Sequence, residues 1–115
     1  MKKYLLIPIL LLLSAIFSHI DAQYPRLELT VTAVQESAPG KADAKIHLRV
    51  DGERPPYTYQ VFDKAPWDGG KEVARSQKTN DTQYVFKDLP NGSYFVCVTD
   101  SEENSDCEII QIKNN

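Results

Sequence analysis

The sequence predicts an all-β protein, a single antiparallel β-sandwich of about seven strands that follows a cleaved signal peptide. Short segments of alternating apolar and polar residues recur through residues 23–115, and turn residues separate them. None of these segments has helical periodicity. The most informative stretch is 89–100, where a proline-glycine turn leads into Tyr94, Val96 and Val98 in strict alternation.

The amino terminus has the features of an export signal. Lys2 and Lys3 precede an unbroken apolar run over residues 5–16, and Ala22 is a small residue suited to cleavage. The run is shorter than the ~20 residues that a membrane-spanning helix needs. We therefore expect residues 1–22 to be a signal peptide and residues 23–115 to be one exported domain, located in the periplasm or at the cell surface.

The strands are predicted in order from period-two alternation. In the second of them, Ile46, Leu48 and Val50 alternate with polar residues, and the other segments follow the same rule. Clusters rich in proline, glycine and aspartate separate the segments, and the acidic loop 101–106 joins the last two. The predicted strands are 26–34, 44–50, 57–63, 72–75 (a weak one), 82–86, 93–99 and 108–113.

Net charge restricts the classes of partner. The chain has a formal charge of −3, and residues 1–22 hold two lysines and one aspartate, so residues 23–115 carry −4. Nucleic acids and anionic membrane surfaces call for a basic protein. The charge therefore argues against a nucleic-acid partner and against binding to an anionic membrane surface. We also expect no direct membrane span in the mature chain.

The two cysteines, Cys97 and Cys107, predict one disulfide, because an even count in an exported chain favours pairing. A metal pair or a reactive thiol are the alternatives. If Tyr94, Val96 and Val98 face the core, Cys97 points outward. The bond would then join the last two strands on the surface of the sandwich and would not bridge its two sheets.

Four polar residues in the last loop raise the possibility of a calcium site. Oxygen-bearing side chains occur at alternate positions, as at the start of a calcium loop, but Ser105 stands where that motif has glycine and Gln111 where it has glutamate. A solvated acidic turn is the alternative. The four candidate ligands are Asp100, Glu102, Asn104 and Asp106.

Trp67 is the strongest candidate for a binding residue, because it lies among turn residues where an exposed tryptophan can anchor an interface. It can equally fold back over the end of the sandwich. Tyr24 and Phe62 are weaker candidates. His47 is the only histidine after the signal peptide, and no nucleophile, base or phosphate loop is placed for catalysis, so we expect no enzymatic activity.

Residues 23–115 resemble the SprB-type repeat, an immunoglobulin-like module of surface adhesins in gliding bacteria and their relatives. The resemblance extends over nearly the whole predicted domain, and its two main elements are specific in combination. The matching residues are Val50-Asp51-Gly52, Pro55-Pro56-Tyr57-Thr58-Tyr59, Phe86 to Leu89, Asn91-Gly92-Ser93-Tyr94, Val96, Val98-Thr99-Asp100 and Cys107.

The resemblance implies an immunoglobulin-like sandwich with Greek-key connections and no catalytic role. Leu89, Gly92 and Tyr94 look like the tyrosine corner of related sandwiches, in which the tyrosine hydroxyl bonds to upstream backbone. The chain departs from the family where Val61 replaces a frequent tryptophan. In the family, the cysteine near the last hairpin often pairs with one near the first strands, whereas here Cys97 is the one available partner for Cys107. The family's repeats usually form tandem arrays, and this chain has one repeat.

Together these features predict a non-enzymatic exported binding module, an accessory subunit that contacts a larger cell-surface or outer-membrane protein. A soluble glycan- or ligand-binding domain and a calcium-stabilised structural protein are the alternatives. The protein partner would be contacted through edge strands or the loops around Trp67.

Overall fold

The computed structural model describes residues 26–113, which form an immunoglobulin-like β-sandwich of seven strands in two antiparallel sheets. This confirms the predicted fold class. The predicted signal peptide, residues 1–22, lies outside the described residues. The strands are β1 (Leu27–Val34), β2 (Ala44–Gly52), β3 (Thr58–Phe62), β4 (Glu72–Arg75), β5 (Gln83–Leu89), β6 (Gly92–Thr99) and β7 (Ser105–Ile112).

One sheet has the order β1-β2-β5 and the other the order β4-β3-β6-β7. Antibody constant domains place their fourth strand on the sheet of their first strand. Here β4 pairs with β3 instead, which gives three strands in one sheet and four in the other. The chain changes sheet after β2, after β4 and after β5, so consecutive strands cover both faces of one core.

The core is made by the inward residues of the predicted alternation. Ile46 and Leu48 from one sheet meet Val61, Val96 and Val98 from the other, and each of them is almost fully buried. Period-two alternation puts such residues on one face of a strand, where burying each removes its apolar surface from water. The remaining buried members of the cluster are Leu29, Ala44, Val50, Tyr57, Tyr59, Phe86, Leu89, Tyr94 and Ile112.

Two buried tyrosines fix the connections between the sheets. The Tyr94 hydroxyl donates to the Pro90 carbonyl, which is the predicted corner between β5 and β6. The Tyr59 hydroxyl donates to the Asp81 carbonyl and holds the chain that leads from β4 to β5. Burial, with smaller effects of Tyr57 and Asp81, raises the pKa of Tyr59 to about 12, so this hydroxyl stays protonated and able to donate.

The last hairpin differs from its prediction. The acidic segment predicted as a loop over 101–106 is shorter, because β7 begins at Ser105, which pairs with Thr99. Asp100 is the reason. Its carboxylate accepts the backbone N–H groups of Glu102 and Asn104, at 3.0 and 2.9 Å. These bonds close a tight turn, and strand pairing therefore starts three residues earlier than predicted.

Candidate functional site

Three apolar residues line up across the outer face of the four-stranded sheet. Phe62 of β3 lies opposite Phe95 of β6, and Phe95 lies opposite Ile109 of β7. The inward neighbours of these residues fill the core, so alternation directs all three to the opposite face. Phe95 is itself buried, and on this face it forms a second, smaller apolar cluster outside the main core.

Trp67 extends this row. Its ring meets the Phe95 ring edge to face, with 5.2 Å between centroids and an angle of 83°, and the Phe62 ring lies 6.2 Å from that of Phe95. Both distances fall in the range of favourable aromatic pairs. Trp67 is 76% exposed and Ile109 is 71% exposed. We call Phe62, Ala65, Trp67, Phe95 and Ile109 the aromatic patch.

The loop after β3 fixes the position of Trp67. Residues Pro66–Asp68 form one 3-10 turn, and the proline suits the first helical position because it has no N–H to satisfy. Gly69 ends the turn with a φ of 83°, in the left-handed region that favours glycine. A Cβ at Gly70 would lie 1.8 Å from the Lys64 carbonyl oxygen, so only glycine fits there.

The predicted disulfide joins Cys97 to Cys107 directly beneath the aromatic patch. The two residues are opposite each other on β6 and β7, with their Cα atoms 4.1 Å apart. The bond lies on the outer face, as predicted, and not between the sheets. Cys97 is nevertheless buried, because it packs with Ala65 and Phe95 and is flanked by Phe62. The disulfide therefore forms the floor of the aromatic patch.

A small pocket of about 160 Å³ opens beside Phe95 and Ile109. Its floor is apolar, and Asp63, Asp68 and Ser93 contribute polar groups to its rim. Its volume suits one inserted side chain. An apolar centre inside a polar rim is the usual anatomy of a protein–protein interface.

Of the three predicted binding residues, the structure brings two together. Trp67 and Phe62 both contact Phe95, whereas Tyr24 lies outside the described residues. Trp67 therefore takes the exposed position and does not fold over the end of the sandwich. Phe95 and Ile109 were not among the predicted binding residues, although one sequence signal pointed to them. Residues 94–98 are apolar at every position, which indicates a strand with apolar residues on both faces.

Sequence analysis also missed Glu36, a buried carboxylate in the long loop between β1 and β2. Its two oxygens accept the backbone N–H groups of Gly40 and Ala42, and its own N–H donates to the Asn91 side chain. These bonds tie the loop to the turn before β6. A single glutamate in a turn-rich stretch has no sequence signature, so nothing pointed to it.

The four residues of the calcium hypothesis do not converge on one point, and the Asn104 side chain donates to the Asp100 carboxylate. Asp100 binds its own turn, Glu102 pairs with Arg54 at 2.7 Å, and Asp106 accepts the Leu29 N–H at 2.8 Å. Residues 26–113 contain no group of three or more histidine, cysteine or acidic side chains that could hold a metal ion. The calcium interpretation therefore rests on sequence spacing alone.

Asp106 has a structural position between the two sheets. It lies opposite Val98, whose side chain faces the core, and its carboxylate reaches across to the edge strand β1. We expect Asp106→Ala to lower the free energy of unfolding by about 1–2 kcal/mol, because the Leu29 N–H loses its acceptor. Glu102→Ala, which removes only an exposed ion pair, should cost less than about 0.5 kcal/mol.

The Tm values of the same variants, measured in calcium and in EDTA, test the calcium hypothesis. We expect the loss in Asp106→Ala to be equal in both conditions. A calcium-dependent rise in Tm that Asp106→Asn abolishes would contradict this account and support a calcium-stabilised protein.

The Asp100 carboxylate makes the free energy of unfolding depend on pH in the acid range. Burial by itself raises the pKa of Asp100, but hydrogen bonds from Asn104 and Glu102 and the charge of Arg54 together lower it below its usual range. A lowered native pKa contributes stability above the unfolded value of about 3.9, and this stability is lost as pH falls through the native pKa. We expect Asp100→Asn to be less stable by about 1 kcal/mol at pH 7.

The pH series provides the check. Wild type should lose stability below about pH 4 more steeply than Asp100→Asn, since the variant has no carboxylate to protonate at this position. If both proteins lose stability equally steeply as the pH falls, the assignment is wrong. Chemical denaturation between pH 3 and pH 7 measures the free energy of unfolding of each protein.

No protein-family model, curated protein or solved structure matches the chain. Fold and surface geometry define its class, an immunoglobulin-like sandwich with an aromatic patch on the outer face of one sheet, of which Trp67 and Ile109 are the exposed members. None of the helical segments within residues 26–113 is long and apolar enough to span a membrane.

Proposed function

We propose that this protein is a non-enzymatic, exported binding module that attaches through its aromatic patch to a larger cell-surface or outer-membrane protein. Trp67 and Ile109 are 76% and 71% exposed, and both lie beside Phe95. This observation carries the proposal. Large contiguous apolar patches on exposed surfaces mark interaction sites. Aromatic residues dominate the energetics of protein interfaces.

The rigidity of the aromatic patch also supports this role. The disulfide forms its floor, and the Gly70 N–H donates to the Ala65 carbonyl at 3.0 Å, which closes the loop that carries Trp67. Side chains that are fixed before binding lose less conformational entropy when a partner covers them. A preorganised apolar surface suits recognition of another folded protein.

The nearest alternative is a glycan-binding module in which Trp67 stacks on a sugar ring. Stacking uses one aromatic face, whereas the aromatic patch extends across three strands to Ile109 and includes a pocket sized for a side chain. That extent favours a protein surface over a single sugar. Calcium stabilisation is the third alternative, which the melts of Asp106 variants address.

Affinity purification of the tagged protein from solubilised membranes tests the proposal. Trp67→Ala should lose a stoichiometric partner that wild type retains. Val73→Ala is the matched control, because Val73 is another exposed apolar residue, 46% exposed, on the edge strand β4. A partner retained equally by both variants would contradict the proposal, and saturable binding of neutral polysaccharide that depends on Trp67 would favour the glycan alternative.

A further inference from the structure

The outer face of the other sheet carries a separate cluster of basic residues. In β2, buried and exposed residues alternate without interruption, and Lys45, His47 and Arg49 occupy three successive exposed positions. The alternation that builds the core therefore collects these residues on one side of the strand. They lie on the opposite side of the molecule's core from the aromatic patch, since β2 belongs to the three-stranded sheet.

The neighbouring strands place uncharged side chains, both polar ones and valines, opposite these residues. Arg49 lies between Thr30 of β1 and Gln83 of β5, and His47 lies between Thr32 and Val85. These residues line a shallow groove of about 330 Å³ that crosses the three strands. We call Thr30, Thr32, Lys45, His47, Arg49 and Gln83 the basic face.

The cations of the basic face are not neutralised by carboxylates. Within residues 26–113, the ion pairs involve Arg26, Arg54 and Arg75, and neither Lys45 nor Arg49 takes part in one. Acidic residues lie at both ends of this sheet: Asp88 is near the end of β5, and at the other end Glu28 is opposite Asp51. Arg26 binds Asp51 at 3.2 Å and so partly offsets its charge.

The chain has a formal charge of −3, so this positive surface is local and is not apparent from the net charge. Unpaired cations grouped on one face attract anionic ligands and raise their rate of encounter. The negative net charge of the whole chain does not determine the charge of one face of one sheet.

We propose that the basic face binds an acidic polysaccharide, a chain of sugars that carries carboxylate or sulfate groups. Lys45 and Arg49 pair with the anions, and the hydroxyl and amide groups of Thr30, Thr32 and Gln83 bond to sugar hydroxyls. The distance along the strand from residue 45 to residue 49 is about 13 Å, at ~3.3 Å per residue. That length allows contacts to anions on successive units of an extended chain.

Other anionic ligands fit the basic face less well. Its outward residues include no tryptophan, tyrosine or phenylalanine, on which the bases of a single-stranded nucleic acid would stack. Its groove is open and shallow, without a deep apolar pocket for the anchor residue of a peptide. A hydrated, extended polyanion requires neither.

Charge reversal on the full exported protein tests the proposal. The variant Lys45→Glu/Arg49→Glu is compared with Lys71→Glu/Lys78→Glu, which makes a similar change of net charge beside β4 in the other sheet, where both lysines are exposed. The probes are polygalacturonate, dextran sulfate, poly-glutamate and neutral dextran, in about 0.15 M salt. Thermal melts establish that each variant is folded.

We expect wild type to bind at least one of the two polyanions and not neutral dextran, with an affinity that falls as salt rises. Lys45→Glu/Arg49→Glu should weaken binding at least tenfold, whereas the control pair should change it by less than about threefold. Trp67→Ala should leave polyanion binding unchanged, so that failure of this proposal and failure of the aromatic patch remain distinguishable.

Three results would overturn the proposal. Wild type does not bind either polyanion, or the two charge-reversed variants lose binding equally, which would show an unspecific response to net charge. Tighter binding of poly-glutamate than of both polysaccharides would assign the basic face to an acidic peptide instead.

Discussion

Replacing both cysteines, in Cys97→Ala/Cys107→Ala, should lower the free energy of unfolding by about 2.5–3 kcal/mol. The bond closes a loop with a sequence separation of 10 residues, and the chain-entropy relation gives this value for such a loop. For a domain of this size the loss corresponds to a fall in Tm of about 10–20 °C. Thermal and denaturant melts of the oxidised protein and the double variant measure it.

The matched control is wild type in a strong reductant, which should approach the double variant once the bond is reduced. Cys97 is 6% exposed, so reduction of the folded protein should be slow. The double variant should also bind its partner more weakly, because Cys97 packs with Phe95 and Ala65 under the aromatic patch. A shift in Tm below about 3 °C would show that the disulfide contributes little to this fold.

The second large effect is on binding. Trp67→Ala should weaken the affinity for the proposed membrane partner about 30-fold or more, equivalent to about 2 kcal/mol, as expected for a tryptophan at the centre of an interface. Its effect on folding should be small, since the indole is 76% exposed and its main contact is the ring of Phe95. Titration of purified partner against wild type and variant measures the ratio.

Gly70→Ala provides an independent control on the same surface. The added Cβ collides with the Lys64 carbonyl oxygen, so the loop must shift while the indole itself remains. We expect a loss of affinity comparable to that of Trp67→Ala. Val73→Ala should leave the affinity unchanged. If both Trp67→Ala and Gly70→Ala bind normally, the contact surface lies elsewhere.

Most strands were predictable because they have a buried face that forces alternation, whereas β4 has no buried residue and was predicted only weakly. In β2 and β6 the inward residues are apolar at every second position, and the structure places them in the core as predicted. The tyrosine corner was implied by the resemblance to related sandwiches, and the disulfide followed from the cysteine count. These features depend on neighbours in sequence or on a single pairing of strands.

The aromatic patch was only partly predictable, because it depends on how three strands and a loop meet. Trp67 and Phe62 were identified singly, but their common contact with Phe95 follows from the register between β3 and β6. The turn at Asp100 was likewise misjudged. Hydrogen bonds from one carboxylate to two backbone N–H groups shortened the loop, and spacing alone does not reveal them.

The most direct test of the aromatic patch as the contact surface uses the fact that Trp67 is the only tryptophan in the sequence. Incorporation of 5-fluorotryptophan gives one fluorine resonance, which is read as purified membrane partner is added. We predict that the resonance shifts with saturation and becomes protected from a soluble paramagnetic agent, because the partner buries the exposed indole. If sedimentation shows that the complex has formed while this resonance stays unshifted and unprotected, the account is contradicted.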